Sequence, residues 1–106
     1  MAFATVRTGD FRYDQGENLV ASFESSSFGR RYFCSHCGTP LYVHATHQPD
    51  TLDFSLATLD EPDAVVPGFH IFYASRIGWA PAGDTLPRHD RFRPDTRGLE
   101  NGNPPA

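Results

Sequence analysis

The chain has 106 residues, 39% of them hydrophobic and 13% aromatic, and a formal charge of −4. That length suits one domain with a modest core, which a bound metal or a dimer contact would help to stabilise. There are nine Arg and no Lys, with no block of cations, so a grip on a phosphate backbone is excluded. Arg88, Arg91, Arg93 and Arg97 alternate with Asp90 and Asp95, which predicts a solvated edge and no nucleic-acid partner. No apolar run reaches the roughly 18 residues of a membrane-spanning helix, so no membrane association is expected. The opening "MAFATVRTGDF" lacks the charged and apolar blocks of a secretory signal. A cytoplasmic protein is the expectation, and there a cysteine pair serves as metal ligands or redox thiols more often than as a structural disulfide.

The predicted elements are strands. "FATV" (3–6) and "LVASF" (19–23) carry weak strand signals and belong near a sheet edge. "RRYFC" (30–34) is aromatic enough for a strand. "PLYVHA" (40–45) sets Leu41 and Val43 opposite Tyr42 and His44. "TLDFSL" (51–56) alternates cleanly, with Leu52, Phe54 and Leu56 on one face and Thr51, Asp53 and Ser55 on the other. "TLDEPDAVV" from Thr58 is the best helical candidate, but Pro62 in its middle removes a hydrogen bond and reduces it to a loop or a single turn. "HIFYAS" (70–75) reads as a further strand. Short strands between Gly and Pro breakers predict a mainly β, small antiparallel domain over residues 1–93. From Pro94 the polar, Pro- and Gly-rich "PDTRGLENGNPPA" predicts a disordered tail, 94–106.

The two cysteines, Cys34 and Cys37, lie in "RRYFCSHCGTPLYVH". Two thiolates at this spacing can turn toward one zinc ion, and Gly38 lets the backbone fold back behind them. A redox couple of the thioredoxin kind needs a helix N-terminus beneath the pair, whereas "LYVHATHQP" reads as strand and is broken by Pro49. A reduced pair with no role is the third reading. Zinc needs further donors. His44 and His47 follow closely and either join the site or stand on the surface, and His36 between the cysteines points more naturally away. A second chain could also supply a pair.

With the segments that follow, the hairpin closely resembles the glutathione-dependent formaldehyde-activating (GFA, CENP-V/GFA domain) family. The resemblance rests on Phe33, Cys34, Cys37 and Gly38, then Leu59, Asp60 and Pro62, then His70, Ile71, Phe72, Ser75, Arg76 and Trp79. It implies a β-tent zinc fold and a carbon–sulfur lyase activity of the S-(hydroxymethyl)glutathione synthase type, in which formaldehyde condenses with glutathione. It further implies a structural zinc held by Cys34 and Cys37 with an upstream Cys-x-Cys, and a catalytic zinc held by a Cys-x-Cys-x-x-Cys stretch. Neither upstream motif occurs in these residues. The expectation is therefore a domain N-terminally truncated relative to the family, zinc-binding but without the catalytic zinc. His70, Ser75, Arg76 and Trp79 are the expected substrate-binding residues, with glutathione or another small thiol adduct as ligand. The alternative is a non-catalytic zinc β module that binds a small ligand or a protein, with an open sheet edge that invites a homodimer.

Overall fold

The computed structural model describes residues 1–92. They fall into two compact units, Met1–Val65 and the segment from Val66 onward. The tail expected at 94–106, with Arg93 and Arg97, lies outside the described residues.

The first unit is one antiparallel sheet of five strands. They are β1 (Phe3–Arg7), β2 (Val20–Glu24), β3 (Gly29–Cys34), β4 (Pro40–Ala45) and β5 (Thr51–Ser55), in the order β1-β5-β4-β3-β2. The chain is mainly β, as its periodicity predicted, and the two weak strand segments form the two edges. Three consecutive hairpins build β2 to β5, and β1 closes the far side by pairing with β5 from Phe3↔Ser55 to Arg7↔Thr51.

Register decides which side chains meet, because directly opposed residues share a face. Val6 opposes Leu52, and Ala4 opposes Phe54. Phe54 in turn opposes Tyr42, and Tyr42 opposes Tyr32. The Tyr32 and Tyr42 rings stack at 4.4 Å. Phe11 and Tyr13, from the β1–β2 connection, pack edge-on at 5.3 Å. Phe11 lies 5.1 Å from Tyr42, and the Tyr13 hydroxyl donates to that of Tyr42 at 2.9 Å. Leu52 and Leu56 are buried.

One alternation is broken. Tyr32 pairs with Tyr42 but Phe33 pairs with Pro40, so Leu41 is skipped as a β-bulge. The bulge separates Leu41 from Val43. Val43 opposes Asp53, whereas Leu41 joins Phe11, Tyr13 and Phe54. The expected Leu41–Val43 face therefore does not form, because the extra residue re-aims one side chain.

Around Pro62 the chain makes only short 3-10 turns, Leu56–Thr58 and Pro62–Ala64, as the proline required. In the second unit the expected strand over "HIFYAS" reduces to a single bridge, His70↔Arg88. Phe72 then takes a left-handed conformation, φ 51, and Tyr73–Ser75 is a 3-10 turn. A left-handed residue of this bulk costs on the order of 1–3 kcal/mol. It is held by the Phe72 N–H bond to the Arg91 carbonyl, 2.9 Å, and by an edge-on contact with Phe92 at 4.7 Å. The backbone of 70–74 finds its partners in 87–91 one residue at a time, not along a ladder.

Candidate metal-binding knuckle and its cleft

The β3–β4 turn holds both cysteines in a preformed loop. The Cys34 N–H donates to the Thr39 carbonyl at 3.0 Å, and the Gly38 N–H donates to the Cys34 carbonyl at 2.7 Å. Gly38 sits at φ 80, a conformation glycine adopts without steric cost. Ser35 ties the turn to the start of β2, since its N–H and its hydroxyl both donate to the Leu19 carbonyl, at 2.8 Å and 2.6 Å. Both cysteines are free thiols, Cys37 exposed and Cys34 half-buried.

The Thr39 hydroxyl lies 3.0 Å from the Cys37 sulfur. That hydroxyl, then the Thr39 backbone and the Cys34 thiol, hold the Cys37 pKa below the ordinary thiol value. Hydrogen bonds that favour the charged form do this in general, and the thiolate is the form that binds metals.

Cys34 also lines a cleft of about 550 Å³, together with Val6, Phe11, Tyr13, Leu41 and Phe54. The volume falls within the range of small-molecule sites, and the lining is largely apolar. Tyr42, beneath the aromatic cluster, has its pKa raised, first by burial and then by the Tyr13 hydroxyl, so it stays a neutral phenol.

The donor set fits half a zinc site. Two thiolates from a tight turn are what one edge of a tetrahedral site requires. Among the described residues, no group of three or more His, Cys, Asp or Glu is placed to hold a metal ion. His44 stands four residues up β4 from the knuckle end of the strand, roughly 13 Å at the strand rise. Its Nε2 lies 3.0 Å from the Pro49 carbonyl, and His47 packs edge-on against Phe28. A strand carries its residues away from its own turn, so these two histidines do not join the cysteines.

The second unit holds the other expected residues. His70 Nε2 lies 2.9 Å from Asp84 Oδ2, and Asp84 accepts the Leu86 N–H at 3.0 Å. These bonds, His70 first, hold the Asp84 carboxyl below its usual range. Arg76 donates to the Tyr73 carbonyl at 2.9 Å, with its guanidinium 4.2 Å from the centre of the Tyr73 ring. Ser75 ends the 3-10 turn, and Trp79 is 82% exposed. Arg88, expected on a solvated edge, is exposed and also turns back on its own loop. Its guanidinium donates to the carbonyls of Leu86, Ala82 and Asp84. Sequence reasoning missed Asp84 and Arg88 as partners of the His70 region, because no periodic signal links "GDTLPRHD" to "HIFYAS". Thr39 could have been found: a hydroxyl two residues after the second cysteine is within reach of its sulfur.

The five-stranded antiparallel sheet, with a Cys-x-x-Cys turn between β3 and β4 and an apolar cleft beside Cys34, defines a small, mainly β protein. The family model described as glutathione-dependent formaldehyde-activating enzyme matches residues 1–75, and the chain belongs to that family. Neither the curated proteins nor the solved structures give a match. No helix among the described residues is long and apolar enough to cross a membrane.

Proposed function

We propose that this chain is a zinc-holding scaffold of the formaldehyde-activating family, in which Cys34 and Cys37 supply two thiolates of a structural zinc site. The single observation that carries the reading is the knuckle: both cysteines of the sequence lie on one preorganised turn, and the more exposed thiol is already biased toward its charged form. When bound, the zinc would cross-link β3 and β4 and stabilise the fold.

The family-level chemistry is that of a carbon–sulfur lyase of the S-(hydroxymethyl)glutathione synthase type. A catalytic zinc needs its own set of ligands and an open position. Two thiolates do not furnish a structural and a catalytic site together. We therefore assign these 106 residues a binding role in place of independent catalysis. His70, Ser75, Arg76 and Trp79 are the proposed contacts for a glutathione-like ligand, with Arg76 the cation for a carboxylate. A cytoplasmic setting would keep the thiols reduced.

The test mixes the purified chain with zinc, formaldehyde and glutathione and follows the adduct by NMR. The expected rate equals that without protein, while zinc remains bound and is lost in Cys37→Ser. Acceleration above the background overturns the non-catalytic part, and absence of zinc uptake overturns the scaffold itself.

A further inference from the structure

Building on the reading of His70 as a ligand contact, we infer that Asp84 is a positioning residue for it. Asp84 keeps the His70 imidazole proton on Nε2 and so presents the Nδ1 lone pair to the thiol proton of a small thiol ligand.

The tautomer follows from the partners. Both carboxylate oxygens of Asp84 reach His70 Nε2, Oδ2 at 2.9 Å and Oδ1 at 3.1 Å. An ionised carboxylate only accepts, so Nε2 donates, and a neutral imidazole then keeps its acceptor at Nδ1. The surroundings hold Asp84 in place. The Leu86 N–H donates to Oδ1 at 3.0 Å, the Arg88 guanidinium lies 3.7 Å from the same oxygen, and Arg88 also donates to the Asp84 carbonyl at 2.7 Å. The imidazole is anchored through its own backbone. The His70 N–H donates to the Pro87 carbonyl, and the His89 N–H donates to the His70 carbonyl, each at 2.9 Å.

The other ring nitrogen is open. Among the described residues nothing bonds His70 Nδ1, and the side chain is 32% exposed, so a ligand can reach the lone pair. Arg76 is exposed and lies over the Tyr73 ring at 4.2 Å, while His70 meets the same ring at 6.1 Å. Within the protein Arg76 donates to the Tyr73 carbonyl, which leaves guanidinium N–H groups for a carboxylate. An acceptor for a proton donor and a cation for a carboxylate thus flank one ring. That pair suits a thiol that also carries a carboxylate. Glutathione is such a molecule, and the family is described as glutathione-dependent.

The experiment compares glutathione with ophthalmate, the analogue in which a methyl group replaces the thiol and the carboxylates remain. Calorimetry measures binding to the full chain, and nitrogen NMR of labelled histidine follows the His70 ring above the ordinary histidine pKa of about 6.5. The expected tautomer carries its proton on Nε2, and glutathione should shift the Nδ1 resonance. Ophthalmate should bind roughly three- to tenfold more weakly than glutathione. Asp84→Ala should mix the two tautomers and cost glutathione more affinity than ophthalmate, and Asp84→Glu should restore the Nε2 form. The wild-type comparison of the two ligands stands even where Asp84→Ala folds poorly. Equal affinity of the wild-type protein for both ligands overturns the inference and leaves the glutathione site standing. So does a His70 proton found on Nδ1, or a tautomer that Asp84→Ala leaves unchanged. Absence of glutathione binding overturns the ligand contacts themselves and this inference with them.

Discussion

Thr39 and Cys37 show how one side chain sets the chemistry of another. The hydroxyl 3.0 Å from the sulfur is the largest cause of the lowered thiol pKa, ahead of the backbone and of Cys34. A lowered pKa means more thiolate at neutral pH, hence faster reaction with an alkylating agent. Thr39→Val should move the inflection of the pH–rate curve upward, toward the ordinary thiol value, and slow alkylation at neutral pH severalfold. Mass spectrometry of iodoacetamide-treated protein reads the rate at Cys37. An unchanged curve would assign the effect to the backbone and Cys34. Arg88 makes the same point from the opposite side: a charged residue in a charged stretch still ends on three carbonyls of its own loop.

At the scale of elements, the β1–β5 pair carries a half-buried carboxyl that the hydrophobic pattern does not explain. Asp53 opposes Thr5 and accepts its hydroxyl at 2.6 Å. Burial raises the Asp53 pKa, and the Thr5 bond and the histidines His44 and His47 offset only part of that rise. A carboxyl whose folded pKa is raised contributes stability below its ordinary value of 3.8. That contribution is lost as the pH rises through the folded value. At neutral pH the charge therefore opposes folding. Asp53→Asn keeps an acceptor for Thr5 and should raise the melting temperature at neutral pH, with the gain shrinking in acid. Thr5→Val should lower stability by about 1 kcal/mol. Thermal melts of both variants across pH check the sign, and a lower midpoint for Asp53→Asn at neutral pH would show that the interaction with the histidines outweighs burial.

For the whole molecule, stability in the first unit leans on very little. Leu52 and Leu56 are the buried apolar side chains among the described residues, at 4% and 5% exposure, while Phe23 and Val66 are 64% and 80% exposed. A core this small has few neighbours to close around a gap. Leu52→Ala should cost about 2–5 kcal/mol, a large share of the 5–15 kcal/mol of an ordinary domain. Urea denaturation followed by tyrosine fluorescence measures it, because Tyr32 and Tyr42 lie on the same sheet and Tyr13 packs against Tyr42. A loss below the range would mean that the sheet tolerates the cavity. The thin core also explains why a metal cross-link between β3 and β4 would matter here: a small domain with little buried surface gains proportionately more from a staple.

The sequence by itself determined the strands and the knuckle. Alternation in "TLDFSL", breakers between segments and Cys-x-x-Cys followed by glycine are local signals. Local backbone preferences and the two-residue period of side chains suffice to read them. The weak signals in "FATV" and "LVASF" also carried their meaning, because edge strands are buried on fewer sides and need less apolar sequence. Only the tertiary structure decided the rest. The bulge at Leu41 depends on how β3 and β4 register across the turn, and it moves that side chain into the cleft with Cys34. "HIFYAS" has the composition of a strand but meets no partner strand among the described residues, so its backbone groups bond one by one to residues 87–91 and Phe72 turns left-handed. The distance of His44 from the cysteines follows from the direction of β4. Each of these outcomes is set by which segments lie side by side, and pairing between distant stretches of chain leaves no periodic trace in either one.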